Sequence, residues 1–249
     1  MKVCLNPKFQ AMRACVERIP QVFDHEGEVI FHKRNMVKRF QAPEGEWIVK
    51  RYKRPNLIQR LAYTFWRKSK ARRAFLFASR LRAMGIETPE AVACIEIKEG
   101  LLFSDSFFIS LPCMWPPVFD EVVGEGDHFD RPLADSLAAY FVELHRKGVL
   151  HGDLNLDNIL CRHTPDGYAE FSLIDTNRTR FVHHPSRRQC LDNLMRVSHR
   201  RQLLQYIVGS YARLRGWPEE SCCTRVMESL ERFERRKQLK RKAKKLATT

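Results

Sequence analysis

At 249 residues, with 44% apolar and 10% aromatic side chains, the chain can bury a substantial core as one large domain or two lobes. That composition excludes a disordered or low-complexity protein. No run reaches the roughly 18 consecutive apolar residues of a membrane span, and the start, MKVCLNPKFQAMRACVERIP, scatters polar residues where a signal peptide has its apolar core. The sequence therefore predicts a cytoplasmic chain or one resting on the inner face of a membrane.

The formal charge of +15 is unevenly spread. Lys50 to Arg73 holds ten Lys/Arg and no Asp/Glu, and Glu231 to Thr249 holds nine Lys/Arg against two Glu. Residues 100–175 run the other way, with thirteen Asp/Glu against four Lys/Arg. Such asymmetry points to basic surfaces that meet an anionic partner and an acidic region suited to divalent metal. The eight cysteines show no C-x-x-C pair and no zinc spacing, so reduced, mostly buried thiols are expected.

In chain order, EVIFHK (28–33) and EWIVKRY (46–52) are short β-rich runs separated by the turn-like QAPEG. From Ile58 to Met84 the pattern is helical, without Pro or Gly until Gly85 offers a C-cap. AVACIEI (91–97) and LLFSDSFFIS (101–110) read as two more strands. LPCMWPP (111–117) is a stiff connection, because each proline also restricts the residue before it. The lobe boundary is placed here, with residues 1–110 on one side and 111–249 on the other. Asp130 is a helix cap with Pro132 in the first turn, and Leu133, Leu137, Phe141 and Leu144 repeat at helical spacing up to Gly148. NILC (158–161), a turn at Asp166-Gly167, and AEFSLID (169–175) form a hairpin. The remainder from Arg187 is helical, interrupted at Gly216-Trp217-Pro218.

Between the long helix and the hairpin lies HGDLNLDNIL (151–160), with its polar groups on a loop, where functional groups tend to be displayed. The order of elements, with Lys50 on the second strand, H-x-D-x-x-x-x-N in the loop and Asp175 at a strand end, resembles the protein-kinase-like α+β fold with a β-rich first lobe and a helical second. Phosphoryl transfer needs charge neutralisation and an acceptor hydroxyl held in line. On that pattern Asp153 accepts the hydroxyl proton, Asn158 and Asp175 offer hard oxygens to Mg²⁺, and Lys50 faces the α/β-phosphates of ATP. Ile48 and Tyr52 share the lysine's strand face and offer an apolar surface for adenine. His151 is expected to orient the loop, not to act as a base. Each residue alone also has a structural reading: Asp153 and Asn158 as turn formers, Asp175 and Lys50 as solvated charges. The joint pattern is what favours the site.

HGDLNLDNIL and LIDTNRTRF, preceded by LNPKF, GEVIFHKRN and TPEAVACIE, look like the Kdo/WaaP lipopolysaccharide kinase family of Gram-negative bacteria over roughly residues 5–215. The resemblance implies ATP-dependent phosphorylation of Kdo or heptose on the lipid A core at the cytoplasmic side of the inner membrane. Two departures stand out. The family carries a glutamate at about Leu76 to pair with the strand lysine, yet 51–86 contains no acidic residue. There is also no glycine-rich loop after Gly27, where Arg34 or backbone amides are left to hold phosphates. A catalytically impaired, kinase-like binding protein is therefore the alternative, as is a kinase for another small molecule; a protein kinase is disfavoured by the lack of A-P-E after Asp175. YTFWRKSKARR (63–73) is either a contact with an anionic membrane surface or a helix packing its aromatics inward. The tail KQLKRKAKK reads as a solvated helix end, and no motif supports a nucleic-acid partner.

Overall fold

A computed structural model describes the backbone of residues 1–246 and the side chains through 243; the last residues of the basic tail, 247–249, lie outside the described residues. The chain forms two compact units, 1–114 with 173–178 and 115–172 with 179–249.

The first unit holds a six-stranded antiparallel sheet of β1 (Lys2–Leu5), β2 (Glu28–His32), β3 (Met36–Ala42), β4 (Gly45–Arg51), β5 (Ala91–Glu99) and β6 (Leu102–Ser110), in the order β1-β5-β6-β4-β3-β2. Lys50 thus sits on the fourth strand of the chain, not the second. β1 and β3 escape the sequence reading. In β3 this is because Lys38 occupies a buried position, where its ammonium donates to the Phe23 carbonyl at 2.7 Å and the Glu26 carbonyl at 2.9 Å. Those two bonds satisfy a charge that burial would otherwise penalise. They also fasten the end of α1 (Arg13–Val22) to the sheet.

Strand alternation divides the sheet into two faces. Trp47 and Val49 point into a core with Val16, Ile19, Phe23, Phe40, Phe107 and Ile109, each fully buried aliphatic or aromatic contributing about 1.5–3 kcal/mol. Ile48 and Lys50 take the opposite side, with Tyr52 buried against Ala71 and Cys94. The single helix expected from Ile58 to Met84 is two helices, α2 (Leu57–Phe65) and α3 (Lys70–Ala83). Trp66 leaves helical geometry at φ −125°, and Ser69 caps the new helix by accepting the Arg72 amide at 3.1 Å. Ala71, Ala74, Ala78 and Leu81 form the buried stripe of α3, small enough to let the helix lie close on β5 and β6.

The second unit is mainly helical: α4 (Val118–Val122), α5 (Arg131–Arg146), α6 (Arg187–Leu194), α7 (Arg201–Leu214) and α8 (Glu219–Leu246). Asp130 caps α5 by accepting the Leu133 amide at 2.7 Å. Gly148, at φ 76°, ends it, and a Cβ there would collide with the Val182 carbonyl, so only glycine fits. The short β7 (Val149–Leu150) pairs with β10 (Arg180–Phe181), and β8 (Ile159–His163) forms a hairpin with β9 (Ala169–Leu173). α7 packs against α5 and α8. The buried residues of α8 among those described are Cys222, Val226 and Leu230, one per turn; Phe233 and Glu234 are half-buried, and 235–243 are exposed. All eight cysteines are free thiols.

Candidate active site

In the second unit the loop 151–158 is built mostly by backbone bonds. Leu154 and Leu156 are buried and anchor it, and the Leu156 amide donates to the Val197 carbonyl at 3.2 Å. The Asn155 side chain accepts the Asn158 amide at 3.0 Å, closing the turn. Asn158 Nδ2 donates to the Asp153 carbonyl at 2.9 Å, which leaves the oxygen end of that amide for another partner. The Asp153 amide donates to His151 Nδ1 at 3.3 Å, and the ring of His151 is fully buried. Asp153, Asn158 and His151 are therefore one unit of structure, with the Asp153 carboxylate about 29% exposed.

Four residues that the sequence reading missed support this loop. Asn193 Nδ2 donates to the His151 carbonyl at 2.6 Å, and its Oδ1 meets His145 Nε2 at 3.1 Å. His145 Nδ1 in turn meets the Tyr211 hydroxyl at 2.8 Å. The chain of bonds is satisfied by a neutral imidazole, with the proton on Nε2 and Tyr211 donating to Nδ1. Arg196 completes the set: its Nη1 binds Asp153 Oδ1 at 3.2 Å and the Gly152 carbonyl at 3.1 Å, while its guanidinium stacks on Phe233 of α8 at 4.9 Å.

Burial drives the His145 pKa from its ordinary 6.5 down to about 4, with the nearby Arg215 charge adding to burial and the Asn193 bond opposing it. The unfolded chain takes up this proton near pH 6.5 while the folded protein declines it until about pH 4, so the stability tied to His145 is full above pH 6.5 and falls as pH drops toward 4. Between pH 7 and pH 5 this group should remove about 2 kcal/mol. Urea midpoints of the wild type and His145→Gln at the two pH values measure it: the wild type should lose more stability than the variant, and equal losses would remove His145 as the cause.

In the first unit Lys50 and Asp175 meet directly, Nζ to Oδ1 at 2.8 Å, with both side chains largely shielded. The lysine that lacks a helix glutamate takes its partner from the end of β9. Asp175 stands at φ 54°, the one non-glycine residue with positive φ among the described residues. Aspartate tolerates that left-handed backbone better than most side chains, and Asn177 Nδ2 donates to the same Oδ1. Lys50 Nζ also lies 5.3 Å from the Tyr52 ring centroid. Tyr52 is fully buried, so burial first and then the Asp175 charge hold its phenol well above the usual range.

Cations surround this pair. Lys70, at the start of α3, has its pKa lowered by burial first and then by Arg34, Arg178 and Arg73, with Asp175 acting in the opposite sense. Arg73 is lowered by burial first, then by the charge of Arg67. Leu76, where the resemblance places a glutamate, is on the exposed side of α3. Arg34 lies at the exposed tip between β2 and β3, and Ile48 shares the Lys50 face of β4. The local chemistry thus suits phosphate oxygens: several cations compete for one carboxylate, and an added anion would relieve their mutual repulsion.

The lipopolysaccharide kinase (Kdo/WaaP) family matches residues 31–215. No curated protein matches the chain. Among solved structures, "WaaP in complex with acyl carrier protein" shares 18% identity over 95% of this chain and 98% of that one, with a TM-score of 0.58, a likeness of fold. With three quarters of its length covered by one family, with a mixed antiparallel sheet and helices like those of WaaP, the chain belongs to the lipopolysaccharide kinase (Kdo/WaaP) family.

Proposed function

We propose that the chain transfers the γ-phosphoryl group of ATP to a hydroxyl of Kdo or heptose in the inner core of lipopolysaccharide, with Mg²⁺. The observation that carries this is the Asp153 loop: its backbone is fixed from three sides while its carboxylate stays accessible to a substrate. In this reading Asp153 takes the acceptor hydroxyl's proton and His151 holds the loop. Lys50, with Arg34 nearby in the cationic surround, holds ATP phosphates, and Ile48 offers an apolar face to adenine. Asn158 and Asp175 each offer an oxygen to Mg²⁺, which when bound neutralises charge on the phosphates. Transfer of labelled γ-phosphate to purified lipid A bearing Kdo and heptose tests the proposal, and its absence from folded protein would overturn it.

We also propose a location on the cytoplasmic side of an anionic membrane, a reading that the exposed apolar stripe of α2 supports. No described helix is long and apolar enough to cross a membrane. α2 instead has no buried residue, with Leu57, Ile58, Leu61 and Phe65 exposed within about a 100° arc. Ile58 is 77% and the following Trp66 82% exposed, and Arg67 and Lys68 come next in the chain. The stretch 63–73 therefore divides: Tyr63 packs edge-on against Phe103 at 5.3 Å, while Phe65 and Trp66 face outward. An apolar stripe beside basic charge fits the headgroup boundary of an anionic leaflet. Binding to phosphatidylglycerol vesicles should exceed binding to phosphatidylcholine vesicles, weaken with salt, and fall sharply in Ile58→Glu/Trp66→Ala. Absence of binding would return α2 to a solvated role.

A further inference from the structure

We propose that α8, which lies outside the family-matched residues 31–215, forms one wall of the acceptor site, and that Lys237 together with Arg196 reads an anionic group on the acceptor. This rests on the kinase reading of Asp153. A cavity of about 550 Å³ opens beside that residue, lined among others by Asp153, Asn155, Arg196, His199, Phe233 and Lys237. Its volume falls within the roughly 300–1,000 Å³ of small-molecule sites, enough for one or two sugar rings.

The cations around it are not equally committed. Arg200 is held by the carbonyls of Gly124 and Gly126, and His199 is 2.9 Å from Glu234. Lys237 makes no ion pair among the described residues. Arg196 spends only Nη1, on Gly152 and Asp153, and its Nε and Nη2 carry no hydrogen bond among the described residues. Lys237 and the unspent donors of Arg196 therefore line the cavity that holds the candidate base. The fixed guanidinium plane of Arg196 suits bidentate contact with a carboxylate or phosphate.

α8 sets this arrangement. Phe233 is the ring on which Arg196 lies, and Lys237 follows one helical turn later, so the two share a face of the helix. Leu230, buried and also lining the cavity, fixes that face one turn earlier. Upstream, Asp157 lines the cavity near Asp153. Arg196 lies directly on Asp153 at 3.2 Å and Lys237 lines the same cavity from α8, so an acceptor enters with its hydroxyl toward Asp153 and its anion toward Arg196 and Lys237. A sugar acid such as Kdo carries both groups within one residue.

The test pairs kinetics with direct binding. In Lys237→Ala the KM for lipid A bearing Kdo should rise about tenfold, the worth of one charge-assisted hydrogen bond, while the KM for ATP and kcat hold; Lys237→Arg should recover it. Phe233→Ala, which frees Arg196, should raise the acceptor KM and lower kcat together. Separately, saturation-transfer NMR should show free Kdo acid binding the wild type, with its uncharged methyl ester and the Lys237→Ala protein giving weaker signals. An unchanged acceptor KM in Lys237→Ala overturns the inference while leaving the kinase reading intact. Acid and ester binding alike would overturn it too. Selective binding of the acid by a protein that transfers no phosphate would uphold the anion site and sink the kinase reading instead.

Discussion

Asp153→Ala should lower phosphoryl transfer to a lipopolysaccharide acceptor by about 100- to 10,000-fold, the range for losing a positioned general base. The fold should survive, because the bonds that shape the loop use the backbone of Asp153: its amide donates to His151 and its carbonyl accepts from Asn158. The carboxylate itself contacts Arg196 at 3.2 Å, and both side chains are about a third exposed, so losing that pair should cost less than about 1 kcal/mol. Initial rates with both substrates saturating, beside a thermal melt, separate the two effects. A melt shifted by no more than a few degrees with the rate collapsed supports the assignment. A variant that keeps robust activity would end it.

What was legible in the sequence were features whose cause is local. The Asp130 cap with Pro132, the Asp166-Gly167 turn of the β8/β9 hairpin and the glycine at 148 each depend on a few neighbouring residues, and the structure shows each. The polar loop at 151–158 belongs with them, since its turn is made by Asn155 and Asn158 themselves. What the sequence hid depends on distant partners. β3 was missed because a lysine at a core position looks polar until the carbonyls of Phe23 and Glu26 are seen around it. The break between α2 and α3 carries neither Gly nor Pro, and only Ser69 marks it. Arg196 lies forty-three residues from Asp153, Asn193 forty-two from His151 and Tyr211 sixty-six from His145, so no spacing rule reaches them. The missing helix glutamate was visible as an absence; its substitute, Asp175, could be found only in three dimensions.

That substitution yields the second large effect. Asp175→Asn should abolish most transfer, by roughly 1,000-fold, while keeping a side chain that tolerates the left-handed backbone. Asp175→Ala should lose the same activity and an additional 1–2 kcal/mol of stability, roughly the cost of placing an alanine at positive φ. Lys50→Met attacks the other half of the pair and leaves the Asp175 charge without its 2.8 Å partner. Nucleotide binding then separates an active kinase from a silent one. If Lys50 and its cationic neighbours hold phosphates, Mg-ATP at about 100 times its Kd should stabilise the wild type by roughly 2.7 kcal/mol, a rise of about 5 °C or more in the melting temperature. All three charge-removing variants should lose that rise. A wild type that shows no shift at millimolar Mg-ATP would mean that the Lys50–Asp175 pair closes the phosphate site on itself. The chain would then be a kinase-like binding protein, its ion pair doing in place of nucleotide what the nucleotide's phosphates would otherwise do for the surrounding cations.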